Sequence, residues 1–486
     1  MKEILEGINR LVWGFPALIL IISVGILLSA RTGWAQFRLF PDAIRMFFSS
    51  FRKSDGKDGI SPYRALCTAL AATVGTGNLA GVGGAIAIGG PGAIFWMWIC
   101  ALLGMVTKFA EAALSVRYRI KDSSGNFAGG PMHMAQQGLG EKWYPIAVIY
   151  CFFGVVAAFG VGSATQINAV IGGINGAVRA LGGQESEKIN ILIGIVLSIM
   201  VVLVLLGGAK RIGSAAAFLV PFASVFYIVL CIGVLVVRAP AVPQAFAAIV
   251  KGAFCPRAIT GGMLGSAFQA LRIGASRGVF TNEAGMGTAG MAHGSAQVAH
   301  PIQQGLMGII EVFLDTIIIC TMTGLVILCS GITIPYGQDL GIRITADAFS
   351  NIYGDWVNIP IALALCCFAF ATILGWGLYG MRCAQFLFGD TIWKRFVVLQ
   401  GVSVILGAVI NTGIVWSLSE IANGLMAIPN LLILIKLSPE LIRLVKEYRT
   451  NYCKKAVYGG TYEDIKKYRS LRSVSHAEIS PHGGKR

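Results

Sequence analysis

The sequence predicts an all-α polytopic membrane protein of about eleven transmembrane helices. Three observations carry that reading: the composition, the length of the apolar runs, and two glycine-broken segments five spans apart. Of 486 residues, 55% are hydrophobic and only 13% charged, and the mean hydropathy is +0.72. A helix needs about 20 apolar residues to cross a bilayer. On that measure the spans centre on residues 10–31, 61–88, 92–118, 143–173, 189–208, 212–237, 258–287, 302–330, 356–386, 397–416 and 418–447.

The first apolar run, Leu11 to Ala30, has no small-residue cleavage site followed by polar sequence, so it reads as a retained span. An amphipathic run from Phe37 to Phe51 then suits the membrane interface. These make residues 1–60 a peripheral segment. Residues 61–447 form the expected core, with repeat one at about 61–240 and repeat two at about 258–447, and 448–486 are a basic tail.

The formal net charge of +16 would suggest nucleic acid in a soluble protein, but its distribution follows topology. With the N-terminus outside, the inward segments carry Arg38, Arg45, Arg52, Lys53 and Lys57, then Arg117, Arg119 and Lys121, then Lys210 and Arg211, then Arg382, Lys394 and Arg395. That satisfies the positive-inside rule, with Arg238, Lys251 and Arg257 on the wrong side. The C-terminus is then cytoplasmic. From Lys436 onward twelve Lys and Arg face five Asp and Glu, a charge that sets topology or holds the tail near anionic lipid.

Of the eleven cysteines, eight lie in apolar spans without metal or disulfide spacing and behave as small apolar residues. No HExxH pair and no GxxxxGK[ST] loop occurs, which excludes an intramembrane metalloprotease and ATP-driven transport by this chain. No cofactor is implied.

The stretch Ala72 to Trp98 holds Gly75, Gly77, Gly81, Gly83 and Gly84 among apolar residues. Each glycine weakens a helix by about 1 kcal/mol relative to alanine. A helix that unwinds at bilayer depth frees backbone polar groups, which is tolerated only where they line a cavity or bind something. Broken helices in transporters bind small zwitterions at half-helix N-termini and cations at unwound carbonyls. A second such segment, Gly261 to Gly294, places its expected interruption at Gly274–Ala275–Ser276. The breaks fall in the second and seventh spans, predicting a five-plus-five inverted repeat with the first span outside it. The same glycines also suit close helix packing.

At the first break, Thr76, Gly77 and Asn78 offer backbone N–H groups and two polar side chains to a carboxylate. Gln166, in the fourth span beside Gly160, Gly162 and Ser163, needs partners at that depth. Glu111, Glu283, Glu311 and Asp315 are costly acidic groups within or at the ends of spans. Glu283 beside Arg277 reads as a gate, and Asp315 or Glu311 as the basis of a proton-coupled alternative. A channel is the remaining alternative, although two breaks five spans apart predict alternating access better.

The run GGPGAIFWMWICALLG, Gly89 to Gly104, resembles the signature of the sodium:alanine symporter family. RGVFTNEAGMGTAGMAHGSA, Arg277 to Ala296, is similar to a second family hallmark, and GTGNLAG adds to both. The resemblance extends from about Leu11 to Leu444. It implies a leucine-transporter-like fold, a prokaryotic inner-membrane location, and Na⁺-driven uptake of alanine, glycine or a similar small neutral amino acid, without nucleic acid or an obligate protein partner. It also implies that Gln166 contacts the amino acid, and that Phe268, Gly274, Ala275 and Trp376 wall the pocket. For Na⁺ it implies the carbonyls of Ala71, Val74 and Phe368 and the hydroxyl of Thr372, with Ala371 where relatives of the fold often carry another hydroxyl. Such an all-oxygen set suits a hard cation.

Overall fold

The computed structural model describes residues 7, 12–13, 15–52, 55, 59–254, 267–338, 341–409 and 413–450. Lys53, Lys57, Arg257, the opening of the second repeat before Ala267, and the tail beyond residue 450 lie outside the described residues. The chain divides into two units, Met1–Leu441 and Ile442–Arg486, and both cavities lie in the first.

Among the described residues, eight helices are long and apolar enough to cross a membrane. The count is nine when the bent pair Pro62–Thr73 and Gly77–Gly89 is taken as one span, and Pro16–Thr32 is a shorter apolar helix beside them. Helix α1 (Phe15–Thr32) leads into α2 (Phe40–Ser50), whose Ala43 and Met46 are buried while Phe48 is exposed.

Helix α3 (Pro62–Thr73) starts on a cap, where the Ser61 hydroxyl accepts the Arg64 N–H and Pro62 occupies the first turn. It stops where Val74 turns extended, with φ −78° and ψ 103°. A wide turn, Gly77–Gly81, then opens α4 (Val82–Gly89) at 50° to α3. The glycine cluster therefore does break this span.

Helix α5 (Gly92–Arg117) is buried along most of its length. A short hairpin follows, with Ile120–Lys121 (β1) antiparallel to Phe127–Ala128 (β2). Next come α6 (Pro131–Leu139), α7 (Tyr144–Phe159), a wide turn at Gly160–Ala164 and α8 (Thr165–Ala180). Helices α9 (Glu187–Leu205), α10 (Gly208–Val237) and α11 (Val242–Phe254) complete the first half.

The second half contains α12 (Ala267–Asn282), α13 (Thr288–His293), α14 (Pro301–Val312) and a wide turn at Phe313–Cys320 running into α15 (Thr321–Cys329). It ends with α16 (Ile342–Tyr353), α17 (Asn358–Phe388), α18 (Trp393–Val409) and α19 (Gly413–Tyr448).

The second break is displaced from its expected position. Helix α12 runs unbroken through Gly274–Ala275–Ser276 and the interruption falls between Asn282 and Thr288. The backbone there is left-handed at Glu283, Gly285 and Gly287, with φ of 52°, 96° and 78°, a conformation that glycine adopts at no steric cost. Gly274 serves packing instead: a methyl group there would sit 2.2 Å from the Ala93 carbonyl oxygen of α5. On another face of α5, a methyl at Gly308 of α14 would sit 2.7 Å from the Lys108 carbonyl oxygen. Small residues thus let α12 and α14 approach α5 backbone to backbone.

Candidate functional site

At the first break the hydrogen bonds of a continuous helix are rerouted. The Gly75 N–H, which would otherwise serve the Ala71 carbonyl, donates to Asn78 Oδ1 at 2.7 Å. The Asn78 N–H donates to the Gly75 carbonyl at 3.2 Å instead of to Val74. Ala71 and Val74, both buried, are thereby deprived of their helical donors. Facing them on α17, the Thr372 hydroxyl donates to the Phe368 carbonyl at 3.0 Å and keeps its oxygen lone pairs. A methyl at Gly75 would sit 2.8 Å from that oxygen, which measures how closely the break approaches α17.

A small cavity of about 20 Å³ adjoins this junction. Ala72, Thr73, Gly75, Thr76 and Gly77 of the first break form one wall, and Thr372 and Trp376 of α17 another. Val161 and Gln166 contribute from the α7–α8 segment, and Phe280, Thr281 and Glu283 from the second break. Asn423 of α19 completes it. This is room for about one water molecule, so an amino acid enters only when the walls move apart.

The cavity brings together Thr76, Gly77, Gln166, Trp376 and Thr372 from the expected set. Thr76 donates to Gln166 Oε1 at 3.3 Å, and Gln166 Nε2 donates to the Val161 carbonyl at 3.0 Å. Trp376 packs against the Gly160–Ala164 turn, where a methyl at Gly162 would sit 2.3 Å from the Trp376 Cβ.

The other expected wall residues lie elsewhere. Phe268 is exposed, with 57% of its surface accessible, Gly274 packs on α5, and Ala275 is buried beside Leu18 and Cys100. Helix α12 presents Phe280 and Thr281 to the cavity in their place because its break comes later than expected. Asn78 is one residue beyond the cavity wall. Its Nδ2 donates to Asp315 Oδ1 at 2.7 Å, and the other carboxylate oxygen accepts from Thr316 Oγ1 at 2.7 Å.

Glu283 is buried at the second break. Its carboxylate accepts from Trp376 Nε1 at 3.1 Å and from Thr288 Oγ1 at 2.7 Å, which ties the second break to α17. The amides freed by that break are taken by Glu111, whose Oε1 accepts from Gly285 N at 2.9 Å, Gly287 N at 3.1 Å and Asn430 Nδ2 at 2.8 Å. One turn earlier on α5, Lys108 Nζ lies 2.9 Å from Glu311 Oε1, and His293 Nε2 lies 2.9 Å from Glu311 Oε2, all fully buried. The sequence pointed to these acids but not to Lys108, Phe280, Thr281 or Asn423. A lysine at the centre of an apolar run was the available signal for the first.

A second cavity of about 180 Å³ lies further along α17. Polar and apolar groups line it alike, among them Lys210, Ser295, Gln385, Met381, Trp393 and the hairpin that carries Asp122. Arg382 holds that hairpin, with Nη1 3.0 Å from Asp122 Oδ2 in a largely buried ion pair.

The profile of the sodium:alanine symporter family matches residues 1–458. The chain is 38% identical to the sodium/alanine symporter AgcS of Methanococcus maripaludis over 461 residues, covering 93% of this chain and 99% of that protein. It is 35% identical to the amino-acid carrier protein AlsT of Bacillus subtilis, with 90% of each chain covered. Among solved structures it resembles MhsT in complex with L-phenylalanine, with a TM-score of 0.57 at 16% identity, covering 79% of this chain and 90% of that one. That likeness shows the leucine-transporter type of fold. The chain belongs to the sodium:alanine symporter family, whose members are multi-pass membrane transporters rather than enzymes.

Proposed function

We propose that this protein couples inward Na⁺ flow to uptake of a small neutral amino acid, alanine or glycine, by alternating access. The observation that carries the reading is the junction of Ala71, Val74 and Thr372 beside a small cavity between two broken helices. Carbonyls without helical donors and a hydroxyl oxygen are the ligands a hard cation takes, with Phe368 supplying a further carbonyl.

Thr76 and Gly77 open the half-helix that continues through α4, so their N–H groups face a bound carboxylate. Trp376, pressed against Gly162, limits the side chain by steric blockage, since attraction distinguishes one methyl group by only about 1–3 kcal/mol. Na⁺ at the junction holds the unwound segment in the shape the amino acid needs, and each ligand raises the other's affinity by the same factor.

In this reading the N-terminus is outside and the C-terminus cytoplasmic in the inner membrane, and the core is a five-plus-five repeat with α1 outside it. The larger cavity is the cytoplasmic exit, and Arg382–Asp122 closes it. A proton-coupled mode is the second reading. It is favoured by Asp315, whose buried carboxylate is held by Asn78 and Thr316 rather than by a cation among the described residues.

The test is alanine binding to purified protein in Na⁺ and in K⁺ at equal ionic strength. Binding strengthened at least tenfold by Na⁺ supports the proposal, and equal binding in both salts contradicts it.

A further inference from the structure

Asn423 lines the same cavity from α19, an element the foregoing reading leaves without a part. Its side chain is 99% buried, at 1% exposure, and its Oδ1 has no hydrogen-bond partner. Buried amide oxygens are normally satisfied, and one that is not calls for an explanation.

The other polar side chains around the cavity already have partners. Thr76 bonds Gln166, Gln166 bonds the Val161 carbonyl, and Thr372 bonds the Phe368 carbonyl. Thr281 donates to the Arg277 carbonyl at 2.7 Å, and Glu283 accepts from Trp376 and Thr288. Asn423 Oδ1 is thus a buried acceptor available to a donor that a ligand brings.

An α-amino acid brings three N–H donors on its ammonium group. Its carboxylate belongs at the N–H groups of Thr76 and Gly77, which leaves the ammonium to side-chain oxygens on the facing walls. Three residues that carry such oxygens line the cavity from three elements: Gln166 from α8, Glu283 from the second break, and Asn423 from α19.

We propose that Asn423 is a substrate-binding and specificity-determining residue that accepts one N–H of the ammonium group. The assignment rests on the amino-acid-symporter reading and deepens it. The site is built to take all three N–H donors, so it rejects N-methylated amino acids, which lose one donor and leave a buried oxygen unpaired. A site made to hydrogen-bond a substrate group discriminates strongly against the analogue that lacks it.

The experiment compares Na⁺-dependent binding of alanine and N-methylalanine to full-length protein, wild type against Asn423→Leu and Asn423→Asp. Melting and size-exclusion profiles check each variant, and Asn423→Ala replaces the leucine variant if that one does not fold. The expected result is that N423L binds alanine about tenfold more weakly while the preference for alanine over N-methylalanine collapses by a similar factor. N423D, which keeps an acceptor oxygen, retains the preference. A purely structural role would weaken both ligands equally and leave their ratio unchanged, and that result overturns the assignment of Asn423 alone. Wild-type protein that binds neither compound in Na⁺ overturns the symporter reading and this assignment with it.

Discussion

Asn78 Nδ2 donates to Asp315 Oδ1 across 2.7 Å, and the same carboxamide accepts the Gly75 N–H at 2.7 Å. One buried side chain therefore sets the shape of the first broken helix and ties it to the Phe313–Cys320 turn. Asn78 shapes the site rather than facing the cavity, and removing it leaves both a backbone N–H and a buried carboxylate short of a partner. Asn78→Ala is expected to weaken alanine binding about tenfold or more and to cost about 1–3 kcal/mol in stability. Because the two groups act as a pair, the exchange Asn78→Asp with Asp315→Asn should recover more binding than either single change, with a coupling of about 0.5–3 kcal/mol. Additive losses in that double-mutant cycle would contradict the coupling.

The role proposed for Trp376 is to set the room available to the substrate side chain. Replacing it with leucine removes the bond to Glu283 and opens space opposite Gly162. Competition against labelled alanine should then extend to larger neutral amino acids. The reverse change, Gly162→Ala, drives a methyl group into the Trp376 Cβ and should abolish binding. An unaltered competition profile in Trp376→Leu would remove Trp376 from the pocket wall.

Thr372 is expected to act on the cation more than on the amino acid. Thr372→Ala removes its oxygen while Thr372→Ser keeps it. The Na⁺ concentration for half-maximal alanine binding should rise at least tenfold in the first variant and change by less than about threefold in the second, the difference of 1.4 kcal/mol per tenfold measuring the ligand oxygen. Equal behaviour of the two would place the cation elsewhere.

The Lys108–Glu311–His293 cluster predicts a stability effect. Lys108→Met leaves Glu311 fully buried with His293 as its remaining partner, and breaking a buried pair from one side costs about 3–5 kcal/mol. Replacing Lys108 and Glu311 together by apolar residues should cost less than Lys108→Met alone, as read by thermal unfolding in detergent.

Arg382 and Asp122 test the exit path. Asp122→Ala frees the hairpin, so a cysteine introduced at Ser295 in the larger cavity should react several-fold faster with a hydrophilic thiol reagent applied from the cytoplasmic side. Unchanged labelling would contradict the assignment of this ion pair as a closure.

The first break was legible because its glycines are dense in an apolar run and enclose the polar residues Thr76 and Asn78. The second was misplaced because glycine has two uses. Gly274 lets α12 lie against the Ala93 carbonyl, whereas the unwinding depends on left-handed backbone at Glu283, Gly285 and Gly287. Glycine spacing alone does not separate those uses. The acid that stabilises the break, Glu111, sits on a helix far away in sequence, so its pairing with Gly285 and Gly287 emerges only from the fold. Asn423 was hidden for the same reason, as an amide in an otherwise unremarked apolar span.

The central claim is Na⁺-driven uptake, and the most direct measurement is accumulation of radiolabelled alanine in proteoliposomes under an inward Na⁺ gradient, compared with an equal K⁺ gradient and with a pH gradient. Concentrative uptake with Na⁺ alone is the predicted result. Accumulation driven by the pH gradient without Na⁺ would contradict it and transfer the coupling to Asp315, and equilibration without accumulation under every gradient would mean a facilitator or channel instead.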